Sequence, residues 1–256
     1  ALDAISFYAR TMPASEVLSN YSSSQIQFQT RTSDNGTTWE AWQPAGTTNQ
    51  LSSLDSELAS WIWDRGYDQI PKSSDTSIKT EGTGSLKLES GFAQPDANTV
   101  GLWRLEESGT AAGTVFYDSS GNNLHASGVA PTPSSGYAGK ARDFNGSSHY
   151  LQVANHAALR PSQISIEAWV RVDSLTTSGV HPAIVSKMRD QGGPYGSSYK
   201  LGMDDTNHFV FQMFDGANWH TSTSVSTISA GNWYHIVGSY NGSYVQIFVN
   251  GKLERS

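Results

Sequence analysis

The 256-residue sequence contains no cysteine, no basic run and no long apolar stretch. Without cysteine, stability has to come from packing, with a metal ion as the other device open to an extracellular chain; neither redox compartment is excluded. Crossing a bilayer as a helix takes roughly 20 apolar residues, and the longest β-like cluster here runs only from Val245 to Val249. A soluble, processed chain is therefore expected, with no membrane insertion in this segment. Sixteen Lys and Arg against 23 Asp and Glu leave a formal charge of −7. A field of that sign repels a phosphate backbone, which excludes nucleic acid as a partner. Helix-favouring runs of Ala, Leu, Glu and Lys are also missing, while Ser, Thr, Gly and Asn crowd the chain. That balance indicates an all-β protein.

Catalytic signatures are absent as well. The sequence holds no Gly-x-Ser-x-Gly elbow, no His-Glu-x-x-His pair and no Gly-rich phosphate loop. Its seven histidines are scattered. His235 shares a strand face with Trp233 and Val237, which suits a packed or hydrogen-bonded core histidine better than a catalytic one. Asp204-Asp205 near His208 reads as a solvated turn in preference to a metal pair.

What is present is alternation with period two. Ala4–Arg10 and Gln25–Thr32 alternate apolar and polar residues, and both predict half-buried strands. Asp34-Asn-Gly-Thr-Thr supplies a turn into Trp39-Glu-Ala-Trp42, after which Gln43-Pro-Ala-Gly breaks the segment. Leu51, Leu54 and Leu58 have helical spacing and predict a short helix within 45–60, with strands resuming at Trp61-Ile-Trp. Ser77–Ser90 reads as two short strands around Gly-Thr-Gly, and Phe92–Asn98, carrying Pro95, as a linker. Farther on, Ile164, Ile166, Ala168, Val170 and Val172 fall on one strand face, Phe209, Phe211 and Met213 on another, and Val245, Ile247 and Val249 on a third. Three such faces define a sandwich core. Asp215-Gly, Asn241-Gly and Asn250-Gly mark hairpin turns. The organisation predicted is two β-sandwich modules, over residues 1–92 and 99–256, joined by a linker at 93–98.

Five blocks in the second module carry a resemblance. They are Trp103-Arg-Leu-Glu-Glu-Ser-Gly, Asp118-Ser-Ser-Gly-Asn-Asn, Asp143-Phe-Asn-Gly-Ser-Ser-His-Tyr-Leu-Gln-Val, Ile164-Ser-Ile-Glu-Ala-Trp-Val-Arg-Val, and the run from Asn232-Trp-Tyr-His to Val249-Asn-Gly. In this order and spacing they resemble the laminin-G-like (concanavalin A-like) jelly-roll domains of secreted and surface proteins. The Arg31-to-Trp42 block resembles one seen in β-sandwich modules of large bacterial surface proteins. The resemblance implies an extracellular or cell-surface setting and a family that mostly binds and seldom catalyses. The same architecture also carries endoglucanases, whose Glu-x-Asp-x-x-Glu pattern is absent here, and the adjacent Glu106 and Glu107 would face opposite sides of a strand. No catalytic residue is assigned, and the chain is read as no enzyme.

Two sets of residues are candidates for binding. The Asp118-Ser-Ser-Gly-Asn-Asn loop gathers a carboxylate, hydroxyls and side-chain amides, the hard oxygen ligands that calcium prefers. In the resembled family such a loop commonly holds calcium, which would make Asp118, Asn122 and Asn123 ligands here. Glu107, on the face shared by Trp103 and Leu105, could reach the same loop. The alternative is that these side chains only bond their own turn. Eight tryptophans and eleven tyrosines supply faces suited to stacking on sugar rings. Trp103, Trp169 and Trp233 sit within strand motifs and are expected in the core, while Trp219, Tyr195 and Tyr199 are candidates for contact with ligand.

Only Lys252–Ser256 follow the last hairpin turn, whereas the resembled domains continue for one or two further strands, so the second jelly roll is expected to lack its last strands. Either the chain continues elsewhere, or a neighbouring subunit's strand, Ala4–Arg10, completes the sheet and builds a head-to-tail polymer. The function expected is adhesion or surface structure, stabilised by calcium, through glycan or a surface protein. The alternatives are a filament, sheath or surface-layer subunit, and an accessory domain of a glycoside hydrolase.

Overall fold

The computed structural model describes residues 1–24, 27–32, 43–44, 84–89, 95–129, 131–175, 177–187 and 198–256. The chain divides into two compact units, one of Ala1–Ser22 with Ala93–Ser256 and the other of Ser23–Phe92. The first 22 residues, expected to open the leading module, instead belong with the second one. In the smaller unit, three antiparallel strands span Gln27–Thr32, Gln43–Pro44 and Gly84–Glu89, the first of them central. The helix expected within 45–60 and the strand at Trp61-Ile-Trp lie outside the described residues.

The larger unit opens with β1 (Leu2–Tyr8) and α1 (Ala14–Ser24); the three strands of the smaller unit are β2, β3 and β4. There follow β5 (Thr99–Trp103), β6 (Val115–Phe116), β7 (Ala126–Val129), β8 (Thr132–Ser135), β9 (Lys140–Asp143) and β10 (Tyr150–Val153). Next come β11 (Ile164–Arg171), β12 (Ala183–Lys187), β13 (Ser198–Met203) and β14 (His208–Phe214). The last four are β15 (Trp219–Thr227), β16 (Trp233–Tyr240), β17 (Val245–Val249) and β18 (Lys252–Arg255).

An eight-stranded sheet runs β18-β17-β16-β11-β1-β9-β8, with β5 also paired to β1. Facing it, β12-β13-β14-β15 form a four-stranded sheet, and β10-β7-β6 a three-stranded one. The architecture is all-β, as the alternation predicted. Ile164, Ile166, Ala168 and Val170 of β11, Phe209, Phe211 and Met213 of β14, and Val245, Ile247 and Val249 of β17 all enter one core. The sheets approach closely where β16 crosses behind β14. A side-chain carbon placed on Gly238 would lie 2.3 Å from the Phe211 ring, so that glycine is the seat of the ring. The three hairpin dipeptides adopt the expected left-handed backbone, at Gly216 (φ 104°), Gly242 (φ 97°), and Asn250 (φ 50°) with Gly251 (φ 77°).

Ala4–Arg10 was the segment expected to pair with a neighbouring subunit, but it is seated in its own sheet. Ile5 and Phe7 oppose Ala168 and Ile166 of β11 on one side and Trp103 and Gly101 of β5 on the other. A bulge at Ala4 (φ 43°) breaks the alternation, so Leu2, Ile5 and Phe7 turn inward while Asp3, Ser6 and Tyr8 turn outward. The sequence reading did not foresee α1, whose Ser-rich composition is poor in helix formers. Its start is marked by Pro13, whose carbonyl accepts the N–H groups of Glu16 and Val17. The helix covers the outer face of the large sheet by packing Val17, with Met12 ahead of it, on Tyr8, Val237 and Phe248.

Asp3 is fully buried on that outer face. One carboxylate oxygen accepts the Ala138 N–H at 3.2 Å, and the other has no hydrogen-bond partner among the described residues. Burial, reinforced by the charge of Glu106 and opposed by the Ala138 N–H, raises its pKa to about 8. A raised carboxyl contributes stability that is fully present below about pH 4 and lost as pH rises through the folded-state value. Asp3→Asn is expected to abolish a decline approaching about 1.4 kcal/mol per pH unit between pH 5 and 8, read from urea unfolding midpoints. Gly238→Ala is expected to cost about 1–3 kcal/mol by overpacking against Phe211, which the same unfolding assay measures at a single pH.

Candidate functional site

The Asp118 loop folds onto the end of β5. One Asp118 oxygen accepts the N–H groups of Leu102 (2.9 Å) and Ser120 (2.8 Å). The other accepts the Ser120 hydroxyl (2.8 Å) and the Leu124 N–H (3.0 Å). Asn122 donates its side-chain amide to the carbonyls of Thr99 (3.0 Å) and Val100 (3.1 Å), and Asn123 turns the chain at φ 57°. The strand expected to carry Glu107 stops at Trp103, and Leu105 takes a left-handed backbone (φ 59°). Glu107 still reaches the neighbourhood, accepting the Tyr117 N–H at 2.8 Å.

Both Asp118 oxygens are turned onto N–H and O–H donors and the Asn122 amide onto two carbonyls, so these side chains bond their own turn and the end of β5. No group of three or more His, Asp or Glu side chains among the described residues is placed to hold a metal.

The exposed aromatic site lies elsewhere, at the hairpin between β14 and β15. Strand alternation sends Phe209, Phe211 and Met213 into the core and leaves Gln212 and Phe214 on the outer face of the four-stranded sheet. The turn Asp215-Gly-Ala-Asn218 brings Trp219 opposite Phe214, their rings 5.3 Å apart, and Trp219 is 49% exposed. The next row on this face is Lys200, Gln212 and Thr221, in register across three strands, with Gln212 donating to the Thr221 hydroxyl at 3.4 Å. Lys200 is held by the His181 carbonyl at 2.8 Å. At the far end of the face the chain around Pro182 lies close over Gly202, where a side-chain carbon would meet the Pro182 carbonyl oxygen at 2.2 Å.

The hairpin tip is braced by Asp215. One of its oxygens accepts the N–H groups of Ala217 (2.8 Å) and Asn218 (2.7 Å), and the other lies 2.8 Å from His220 Nε2. The Asn218 N–H, then His220 and the Ala217 N–H, hold this carboxyl well below the usual carboxylate range. His220 points away from Trp219 and sets its ring 5.6 Å from Tyr240 of the opposite sheet. The tip is thus tied to both sheets, and Trp219 stands on a fixed support.

Of the other candidates, Tyr199 is not a surface residue. It alternates inward with Leu201 and Met203, is 3% exposed and donates its hydroxyl to the Leu159 carbonyl at 3.3 Å. Burial raises its pKa. Tyr195 lies outside the described residues. Trp103 is in the core, with its indole N–H on the Leu124 carbonyl at 2.9 Å. Trp169 is buried on the outer face of the large sheet, stacked on Tyr137 at 3.6 Å and on Tyr21 at 5.8 Å, whereas Trp233 is only half-buried. His235 is packed, as expected, with Nε2 2.6 Å from Glu167. Asp204 is a turn residue, accepting the N–H groups of Thr206 and His208, each at 2.9 Å. Sequence reasoning missed Phe214, Gln212 and His220, although the Asp215-Gly turn it marked fixes which residues face Trp219.

Residues 145–256 match a family model described as the concanavalin A-like lectin/glucanases superfamily, of laminin G type. The match covers the last two of the five sequence blocks and the third from Asn145 onward, and over it the laminin-G-like resemblance holds. No curated protein and no solved structure matches the chain.

Asp118→Ala is expected to lower stability by about 2–3 kcal/mol through four stranded donors, as read by denaturant unfolding at pH 7. Burial by itself would raise the Asp118 pKa, but the Leu102, Ser120 and Leu124 donors outweigh it and hold the value below 3.8. The stability this carboxylate contributes is present above about pH 4 and lost as pH falls through the lowered value, so the gap between wild type and variant is expected to narrow as the pH is taken below 4. A calcium chelator is expected to leave the wild-type melting temperature unchanged; a drop of several degrees would restore the loop as an ion site.

Proposed function

We propose that this laminin-G-like jelly roll is a non-catalytic module that binds glycan on the outer face of its four-stranded sheet, with Trp219 as the platform. The half-exposed Trp219, backed by Phe214 and fixed at a braced hairpin tip, carries the reading. An indole held this way presents its face to the axial C–H groups of a pyranose ring without first losing rotamer freedom. Gln212 and Thr221 offer amide and hydroxyl groups beside it for sugar hydroxyls. The family matched over residues 145–256 includes lectins by its description, which supports a carbohydrate- or protein-binding role. Adhesion at a cell surface or outside the cell is the setting in which we place it, since glycans are displayed there.

Among the described residues, no two carboxylates flank this platform as acid and nucleophile, and Asp215 is committed to its own turn and to His220. The same surface would serve an accessory module beside a catalytic domain without change in its chemistry.

Titration of the purified chain against a glycan panel is expected to identify a ligand in the micromolar to millimolar range. Trp219→Ala is expected to weaken binding about tenfold or more, close to 1.4 kcal/mol, with an unchanged unfolding midpoint. Tyr117→Ala removes an aromatic that is 60% exposed just after β6, away from the four-stranded sheet's strands, and is expected to leave affinity unaltered. Equal affinity of wild type and Trp219→Ala, or no glycan binding at all, would overturn the proposal.

A further inference from the structure

The β8–β9 hairpin ends in Gly136-Tyr137-Ala138-Gly139, closed by the Gly136 N–H on the Gly139 carbonyl at 3.0 Å. This tip folds over the outer face of the large sheet, where Tyr137 stacks at 3.6 Å on Trp169, which is 4% exposed. Two carboxylates pin the tip down. Asp3 of β1 accepts the Ala138 N–H at 3.2 Å, and Glu106, in the segment after β5, accepts the Lys140 N–H at 3.1 Å. Both glycines are required for this seat. A side-chain carbon at Gly136 would strike the Asp3 carboxylate, and one at Gly139 would strike that of Glu106.

Asp3 is an anchor without a counter-charge. It is fully buried, and its second oxygen has no hydrogen-bond partner among the described residues. Opposite it on β11 stands Trp169, which carries no charge. Glu106 is negative and acts on Asp3 in the same direction as burial. On β9, Arg142 turns inward to the carbonyls of Gly109 and Pro131, and Lys140 is exposed. Arg104 is partly buried and feels the Glu106 charge, while Arg171 is held by Asp173 and lies near Asp143. Glu167 and His235, farther along the same face, are paired with each other. From the tip itself comes Tyr137, whose hydroxyl is kept protonated by burial. No cation among the described residues forms an ion pair with Asp3. The seat suits a carboxyl that carries its proton, and a charged one needs the water that the tip keeps out.

We infer that the Gly136–Gly139 tip is a pH-sensitive flap, closed over Trp169 while Asp3 holds its proton and lifted when that proton is lost. Lifting the tip breaks one N–H bond to Asp3 and the Tyr137 stack, whereas moving β1 would break its pairing with β11 and β5. The tip is the smaller motion, and surface turns open at lower free energy than core strands. With the tip closed, the Asp3 carboxyl is pushed up to about 8. With it lifted, the carboxyl returns to the ordinary range near about 4. The open form therefore gains about tenfold per pH unit between those limits and levels off above them. Opening uncovers one face of Trp169 with the acids Asp3 and Glu106 beside it. This goes beyond glycan binding at Trp219, which stands on the other sheet.

Hydrogen exchange on the purified chain, read by NMR at single amides, tests the flap. Between pH 5 and 8, after correction for intrinsic rates, protection of the Ala138 and Lys140 amides is expected to fall on the order of a thousandfold. In Asp3→Asn both amides are expected to keep one level of protection over the same range. Core amides such as those of Ile236 and Phe248 are expected to stay far better protected than the tip at every pH, which separates a lifting flap from global unfolding. The side-chain carbon of Asp3 in the wild type is expected to titrate well above the usual carboxyl range, a readout that needs no variant should Asp3→Asn fail to fold. One common exchange rate for tip and core, protection that does not change with pH, an equal pH dependence in Asp3→Asn, or an Asp3 that titrates in the ordinary range would each overturn the inference.

Discussion

The structure depends on the pairing of β1 with two strands at once. One seven-residue strand supplies the hydrogen-bonding partner for β11 on one side and β5 on the other, and touches β9 at Leu2 opposite Arg142. Without it the eight-stranded sheet separates into three parts, β18-β17-β16-β11, β9-β8 and β5 alone, each with an open edge. Burying side chains such as Leu2 and Phe7 contributes about 1.5–3 kcal/mol each, comparable to a large share of a domain's net stability. Much else in the larger unit follows from that placement. The outward residues of β1 create the surface that α1 covers, and the inward ones place Phe7 beside Tyr199 of the opposing sheet, with ring centres 5.6 Å apart.

The two faces of the sandwich have been put to different uses. The outer face of the large sheet carries Asp3, Glu167, Trp169 and His235, residue types that on an open surface would suggest a site, yet all four are buried beneath α1 and the Tyr137 loop. Their partners are structural, and the Asp3 carboxyl is raised chiefly because it is hidden from water. The outer face of the small sheet is the reverse. Its polar residues are partly open, and its one prominent aromatic stands at a turn stiffened by Asp215 and His220. Position relative to the cover separates packing from recognition here, because the residue types on the two faces overlap.

Much of this was legible in the sequence, and what was not has identifiable causes. The inward faces of β11, β14 and β17 could be read directly because alternation has a period of two and the core is buried on both sides. The turns at Asp215-Gly, Asn241-Gly and Asn250-Gly could be read because only a few residues tolerate positive φ. Trp219 could be placed near a loop, but Tyr199 could not be assigned a face without knowing where its strand begins. The Asp118 loop carried the atoms of a cation site, and sequence alone does not say whether a carboxylate turns towards an ion or towards its own backbone. The larger miss was β1. Its alternation was plain, but a strand's partner is a long-range property. Ser6 meets Leu102 and Glu167, and no local pattern records such a pairing. The helix α1 was invisible for a related reason: tertiary packing of Met12 and Val17, more than propensity, makes it a helix.

The position of β1 also sets an order in time. Of the segments that flank it, β5 lies some ninety residues later in the chain and β11 later still. At the speed of a ribosome, about 5–20 residues per second, the interval before both are available is on the order of ten seconds. The strand has to remain unpaired for that period, and the large sheet closes only when β11 has emerged. Its assembly cannot proceed strand by strand from β1 onward, and it is governed by a few contacts of high sequence separation, which makes it slow. A nascent chain of this kind has a defined window in which β1 is exposed, and whatever holds an extended apolar strand during that window shares in deciding how the sandwich forms.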